Sequence, residues 1–266
     1  MHPFAYHRVS GLDEARATLG KAEDGLYLAG GMTLIPTMKQ GLAMPSDRID
    51  LAGVDGLAGI AEEAGGLRIG AMTPHAAVAA SDLVRKTIPA LADLAGGIGD
   101  PAVRARGTLG GSIANNDPAA DYPAAVLGLA AMVVTGDREI AADDFFTGMF
   151  ETALAPGEII TAVRFPAPKR AAYVKFPNPA SRYAVVGVFV AETGDGVRVA
   201  VTGAAPGVFR VTEMEAALAQ DFSPAAIADI TVAADDLNED IHASRAYRAH
   251  LVTVMAKRAV ERALAG

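Results

Sequence analysis

The chain has 266 residues, 51% of them hydrophobic, enough to bury a large core in one domain or in two to three smaller ones. Its 23 Lys and Arg against 31 Asp and Glu leave a net charge of −8, which argues against nucleic-acid binding, where affinity rests on clustered basic residues. With no Cys, the chain holds no disulfide, thiolate zinc site, Cys-bound iron–sulfur cluster or Cys nucleophile.

Residues 1–8 place no apolar run behind their basic residues, so no signal peptide is expected. The most apolar stretch, residues 122–136, is broken by Gly128 and falls short of the roughly 20 residues a membrane span needs. The expectation is a soluble, cytoplasmic chain with no membrane span.

The chain divides into three sections, 1–51, 52–166 and 167–266. In the first, Ser10 stands three residues before Asp13 as a helix cap, and Leu12, Ala15 and Leu19 recur at helical spacing. A short strand over residues 25–29 stops at Gly30-Gly31, a helix follows over 34–41, and residues 49–51 form another strand. The second section opens with a hairpin pairing residues 57–60 with 67–70 around a turn at 63–66. Thr73-Pro74 reads as a capped helix start, Ser81-Asp82 as another, and Pro89 as a third. A loop rich in Gly, Asn and Asp spans 107–118, and Asp121 caps a helix of small residues. Residues 132–134 and 139–140 form a second hairpin. In the third section, residues 172–176, 185–193 and 197–202 read as strands, the last two joined at Gly194-Asp195-Gly196. Helices are expected from Ser223-Pro224 and, at greater length, over 244–264. Strands followed by helices indicate an α+β chain.

Two glycine segments hold the first candidate chemistry. In Ala29-Gly30-Gly31-Met32-Thr33, the missing Cβ atoms let backbone N–H groups approach an anionic oxygen, and Thr33 adds a hydroxyl. Neither a dinucleotide GxGxxG nor a GxxxxGK[ST] loop is present. Residues 107–118 gather glycines, hydroxyls and amides with little apolar content, a composition suited to binding. Two such segments suit a diphosphate gripped from both sides by backbone N–H groups.

The other candidates are weaker. Asp121 reads as a helix cap or as an acceptor for the hydroxyls of a ligand, and its spacing favours the cap. The five His residues have no metal spacing and read as surface or capping groups. Arg104 and Arg106 flank the second glycine segment as candidate phosphate contacts, though a solvated or interface role is the favoured reading. Lys175, within an apolar strand, either reaches solvent or turns inward and offers a fixed charge to an anionic ligand.

The segments at 29–34, 107–112 and 117–121 together resemble the FAD-binding medium subunit of molybdenum hydroxylases, the family of the carbon monoxide dehydrogenase medium chain and the FAD-binding subunit of xanthine dehydrogenases. The likeness continues through residues 98–104, 144–148 and 180–184, in the same order along nearly the whole chain. It implies a two-subdomain FAD-binding domain of the PCMH type and a C-terminal domain of antiparallel sheet plus helices. By resemblance, Ala29, Gly30, Gly31, Met32, Thr33 and Leu34 cradle the diphosphate of non-covalent FAD. Thr108, Gly110, Gly111, Ser112 and Asn115 complete that cradle. Ile98 and Ile160 pack on the cofactor, Asp121 takes a ribose or ribityl hydroxyl, Lys175 lies near the pyrimidine edge of the flavin, and Tyr183 lies near the ring. Many relatives carry Gln or His then Ser where this chain has Met32-Thr33, so Met32 offers only its backbone.

The resemblance further implies an oxidoreductase subunit that does no substrate chemistry of its own. A large molybdenum-cofactor subunit hydroxylates substrate, a small subunit with [2Fe–2S] clusters passes electrons on, and the three assemble as a dimer of heterotrimers. The alternatives are a stand-alone FAD-dependent reductase or oxidase, for which no active-site acid or nucleophile is evident, and a flavin-free scaffold, which the retained glycines oppose.

Overall fold

In the computed structural model, which describes residues 1–63 and 65–266, the chain to Asp50 alternates strand and helix. Strand β1 (Ala5–Arg8), helix α1 (Leu12–Leu19), β2 (Gly25–Leu28), α2 (Leu34–Lys39) and β3 (Asp47–Asp50) make a parallel sheet in the order β1-β3-β2. The spacing of Leu12, Ala15 and Leu19 sets one face of α1 over Ile49 and Tyr27. The cap of α1 is Gly11 rather than Ser10. Ser10 instead donates from its N–H and hydroxyl to Glu14, at 2.8 and 2.9 Å, so the acid that closes the turn is Glu14 and not Asp13.

The middle stretch builds an antiparallel sheet of five strands, ordered β4-β5-β10-β6-β7. Its elements in sequence are β4 (Ile60–Glu63), β5 (Gly66–Gly70), α3 (His75–Ala80), α4 (Asp82–Thr87), α5 (Pro89–Gly96), α6 (Pro101–Arg106), α7 (Leu109–Asn115), α8 (Tyr122–Gly128), β6 (Met132–Thr135), β7 (Glu139–Ala141), α9 (Ala142–Phe145), β8 (Phe146–Gly148), β9 (Glu151–Thr152) and β10 (Ile160–Pro166). The first hairpin pairs Ile60 with Ile69, so its first strand starts where the sequence reading ended it. Residues 63 and 66 face each other, and Ala64 of the expected turn lies outside the described residues. Thr73 caps no helix. Its hydroxyl exchanges hydrogen bonds with Gly59, and Pro74 stands at the start of α3 without a side-chain cap. Ser81 does cap α4, accepting from Val84, and Pro89 opens α5 as expected.

The last stretch forms β11 (Arg170–Pro177), β12 (Ala184–Thr193), β13 (Gly196–Thr202) and β14 (Phe209–Arg210), then α10 (Thr212–Gln220) and α11 (Arg245–Ala265). The sheet is antiparallel in sequence order. Strand β12 is apolar at nearly every position because both its faces are covered: Phe189 and Ala191 pack towards α5 and α8, while Val188 and Val190 pack under α11. No helix starts at Ser223-Pro224. Residues 223–229 are turns, and the shorter helix lies earlier, at α10. Helix α11 matches the expected span and is capped by Ser244, which accepts from Tyr247. The mixed α+β architecture is thus the expected one, with no helix among the described residues long and apolar enough to cross a membrane.

Candidate functional site

A cleft of about 580 Å³ opens where the parallel sheet meets the five-stranded unit, with the loop after β11 at its rim. Fifteen of the sixteen residues singled out by resemblance line it: Ala29, Gly30, Gly31, Met32, Thr33, Leu34, Ile98, Thr108, Gly110, Gly111, Ser112, Asn115, Asp121, Ile160 and Tyr183. Lys175 does not.

The two glycine segments form the floor, and they are built differently. Residues 29–34 leave the C-terminal end of β2 and enter α2. Gly31 turns there with φ +72°, and a Cβ on Gly30 would land on the carbonyl of Arg106. Gly30 is therefore a contact between two backbones that are distant in sequence. Among the described residues the N–H groups of Gly30, Gly31, Met32, Thr33 and Leu34 have no hydrogen-bond partner. Five consecutive free donors beside a cleft are chemically suited to an anionic oxygen.

The second segment is a helix start rather than a loop. Thr108 caps α7, its hydroxyl accepting from Gly111 N–H at 3.1 Å. The amides that such a turn ordinarily leaves free are already bonded here. Leu109 N–H donates to Thr73, Gly110 N–H to Ala71 and Ser112 N–H to Thr108. A Cβ on Gly110 would lie 2.5 Å from that of Ala71, so this glycine serves close packing on the chain after β5. The expected symmetrical grip by backbone N–H groups is thus corrected: the first segment offers amides, the second the hydroxyls of Thr108 and Ser112 and the amide of Asn115.

Asp121 stands at the head of α8, yet its side chain caps nothing. It is 4% exposed. Its Oδ1 accepts from the Tyr173 hydroxyl at 2.5 Å and from Lys175 Nζ at 3.0 Å, and Oδ2 accepts from the same Nζ at 3.1 Å. Lys175 also donates to the Gly97 carbonyl at 2.9 Å, so its charge is paired inside the protein rather than offered to the cleft. The local cap reading lost because β11 delivers a cation and a phenol to this carboxylate. Burial pushes the Asp121 carboxyl up, while Lys175 and Tyr173 pull it back.

Three contributors were missed from the sequence. His75, 4% exposed, lines the cleft behind Gly107, and its ring lies 5.3 Å from that of Tyr122. It is neither a surface nor a capping group. Burial, then the nearby Arg104, lower its pKa to about 4, leaving a neutral imidazole. Glu158 also lines the cleft and is held ionised, its pKa lowered to about 2 chiefly by hydrogen bonds from Arg138. Arg182, with φ +62°, lies on the rim loop that Asn178 shapes by accepting from Ala180 and Ser181 N–H. That loop carries Tyr183, 44% exposed, to the cleft mouth. Only the Asn178 turn had a local signal, an Asn followed by Pro.

Residues 2–168 match the family described as the FAD binding domain in molybdopterin dehydrogenase, and residues 171–263 match the CO dehydrogenase flavoprotein C-terminal domain. The chain belongs to this family. The nicotine 6-hydroxylase medium subunit of Paenarthrobacter nicotinovorans is 38% identical over 96% of this chain and 95% of its own length. The carbon monoxide dehydrogenase medium chain of Hydrogenophaga pseudoflava is 34% identical over 98% of this chain and 97% of its own. Among solved structures, reconstituted CO dehydrogenase from Oligotropha carboxidovorans superposes with a TM-score of 0.91 at 34% identity, covering 99% of this chain and 98% of that one. Quinoline 2-oxidoreductase from Pseudomonas putida 86 does so with 0.90 at 28%, covering 100% and 98%. The molecule is thus a medium, FAD-binding oxidoreductase subunit of the molybdenum hydroxylase kind. The cleft fits FAD: free amides suit its diphosphate, and the absent Cβ on Gly30 lets the first segment pack against the Arg106 carbonyl to form the floor.

Proposed function

We propose that this chain is the electron-transfer subunit of a heterotrimeric molybdenum hydroxylase, receiving electrons from the [2Fe–2S] clusters of a small partner and passing them to an external acceptor. The large partner, with the molybdenum cofactor, hydroxylates the substrate, and two heterotrimers pair in the cytoplasm. The observation that supports this most is the row of unpartnered amides from Gly30 to Leu34 facing the hydroxyls of Thr108 and Ser112 across one cleft. The absence of Cys supports placing thiolate-held clusters in a partner.

In this reading the amides of residues 30–34 hold the diphosphate by their dipoles, without Lys or Arg. Thr108, Ser112 and Asn115 hydrogen-bond the phosphate and ribityl groups opposite, Ile98 and Ile160 pack on the rings, and Tyr183 limits water at the mouth. Bound FAD supplies the ability to take up electrons singly and release them singly or in pairs. The domains are residues 1–51 and 52–166, which hold the cofactor between them, and 167–266, which closes the cleft from the β11 side.

The test is to mix the purified chain with FAD, remove the excess by gel filtration and record the visible spectrum. The expected result is co-eluting flavin bands that heating releases as free FAD. A colourless protein whose addition leaves FAD fluorescence unchanged would overturn the reading.

A further inference from the structure

The buried cluster around Asp121 shows which group controls that carboxylate. A carboxylate has about four lone-pair positions, two on each oxygen. Oδ1 spends both of its positions on Tyr173 and Lys175, and Oδ2 spends one on Lys175. One acceptor position remains, on Oδ2, in a residue that lines the cleft. Lys175 alone would not fix the plane of the carboxylate, because a single ammonium bridges both oxygens. The Tyr173 hydroxyl breaks that ambiguity. It approaches Oδ1 only, from a ring buried on β11 and stacked on Phe189 with centroids 6.2 Å apart.

We propose that Tyr173 is a positioning residue for the cofactor site, its hydroxyl locking the Asp121 carboxylate so that the last free acceptor position faces a donor of the bound cofactor. The proposal rests on the FAD reading above. Tyr173 does not line the cleft and touches no ligand itself. It acts through Asp121, and it comes from the C-terminal sheet, so that sheet shapes a site whose floor it does not supply. The hydrogen bond also favours the ionised carboxylate. Without it, burial raises the Asp121 pKa further and the acceptor is lost at a higher pH.

The ionisable groups facing Asp121 are Tyr173 and Lys175 on β11, Tyr183 on the rim loop, Tyr122 beside it on α8, and Asp117, whose charge reaches Tyr183. Burial raises all three phenols, which stay neutral through mildly acidic and mildly alkaline pH. A change in cofactor affinity on acidification that depends on both Asp121 and Tyr173 therefore reports the carboxylate.

The experiment titrates the full chain with FAD, followed by flavin fluorescence, from mildly acidic to mildly alkaline pH. It compares the wild type, Tyr173→Phe, Asp121→Asn and the double variant, with a thermal melt of each. Tyr173→Phe keeps the buried ring. The expected result is a loss of affinity of roughly tenfold, the scale of one hydrogen bond to a charged group. The acid limb of the affinity profile should also shift to higher pH. In the Asp121→Asn background, Tyr173→Phe should change neither. A loss equal at all pH values and equal in both backgrounds would mark Tyr173 as merely structural and overturn the proposal. So would a Tyr173→Phe protein whose profile matches the wild type. If the wild type itself takes up no FAD, the functional reading falls and this proposal with it, whereas normal wild-type binding with no effect of Tyr173→Phe defeats the proposal alone.

Discussion

The two glycine segments of the cleft look alike as sequence, Ala29-Gly30-Gly31 and Leu109-Gly110-Gly111, and they do opposite work. The first is a turn whose amides are left free, held open because Gly30 lies against the backbone of Arg106 and Gly107. The second is the first turn of a helix whose amides are consumed by Ala71, Thr73 and its own cap. What a glycine pair contributes depends on where its N–H groups already point, and neighbours 30 or more residues away decide that. One segment offers main-chain dipoles, the other side-chain hydroxyls.

The strongest way to break this comparison is Gly30→Val. The new Cβ meets a carbonyl that cannot yield without parting the two segments, so a cost of about 3 kcal/mol is expected together with loss of FAD. A thermal melt and the flavin content after gel filtration measure both. If the variant melts like the wild type, the two backbones do not pack as described. A smaller effect sharpens the division of labour. Ala substitution of Thr108 and Ser112 together should weaken FAD binding roughly tenfold, whereas Met32→Ala should stay within about twofold, because only the Met32 backbone is used. A double variant that loses no more than about twofold in a fluorescence titration would mean that the hydroxyls are idle.

The smallest effect at neutral pH belongs to His75, which lies behind the second segment and has no counterpart behind the first. Its folded pKa, about 4, lies below the ordinary 6.5, so the unfolded chain binds the proton more readily. Stability therefore rises with pH across that window, and acidification from about 6.5 towards 4 removes it. His75→Leu should flatten the urea midpoint over this range. A slope as steep as the wild type's would assign the acid sensitivity to other groups.

The elements were largely legible because most are specified locally. The Gly194-Asp195-Gly196 turn, the Pro89 start of α5 and the stripe along α11 each need only near neighbours. The residues of the cleft were legible through the ordered likeness of their motifs. Their bonding was not. Thr73, Asp121 and Ser10 all carry side chains that commonly cap helices, yet each is drawn elsewhere, Thr73 to Gly59, Asp121 to β11 and Ser10 to Glu14. His75 was missed because a lone His shows its burial only once Gly107 is brought over it. No helix forms at Ser223-Pro224 although Ile227 is fully buried: residues 224–229 seat it in the core through successive turns instead.

The contact of Gly30 with Arg106, and that of the Tyr27 hydroxyl with the Gly157 carbonyl at 3.1 Å, also tie the parallel sheet to the five-stranded unit. Both join parts of the chain that are far apart in sequence, so each closes a long loop at an entropic cost that the docked arrangement must offset. The cleft exists only when the two units are docked. A ligand that binds there stabilises that docked arrangement by mass action.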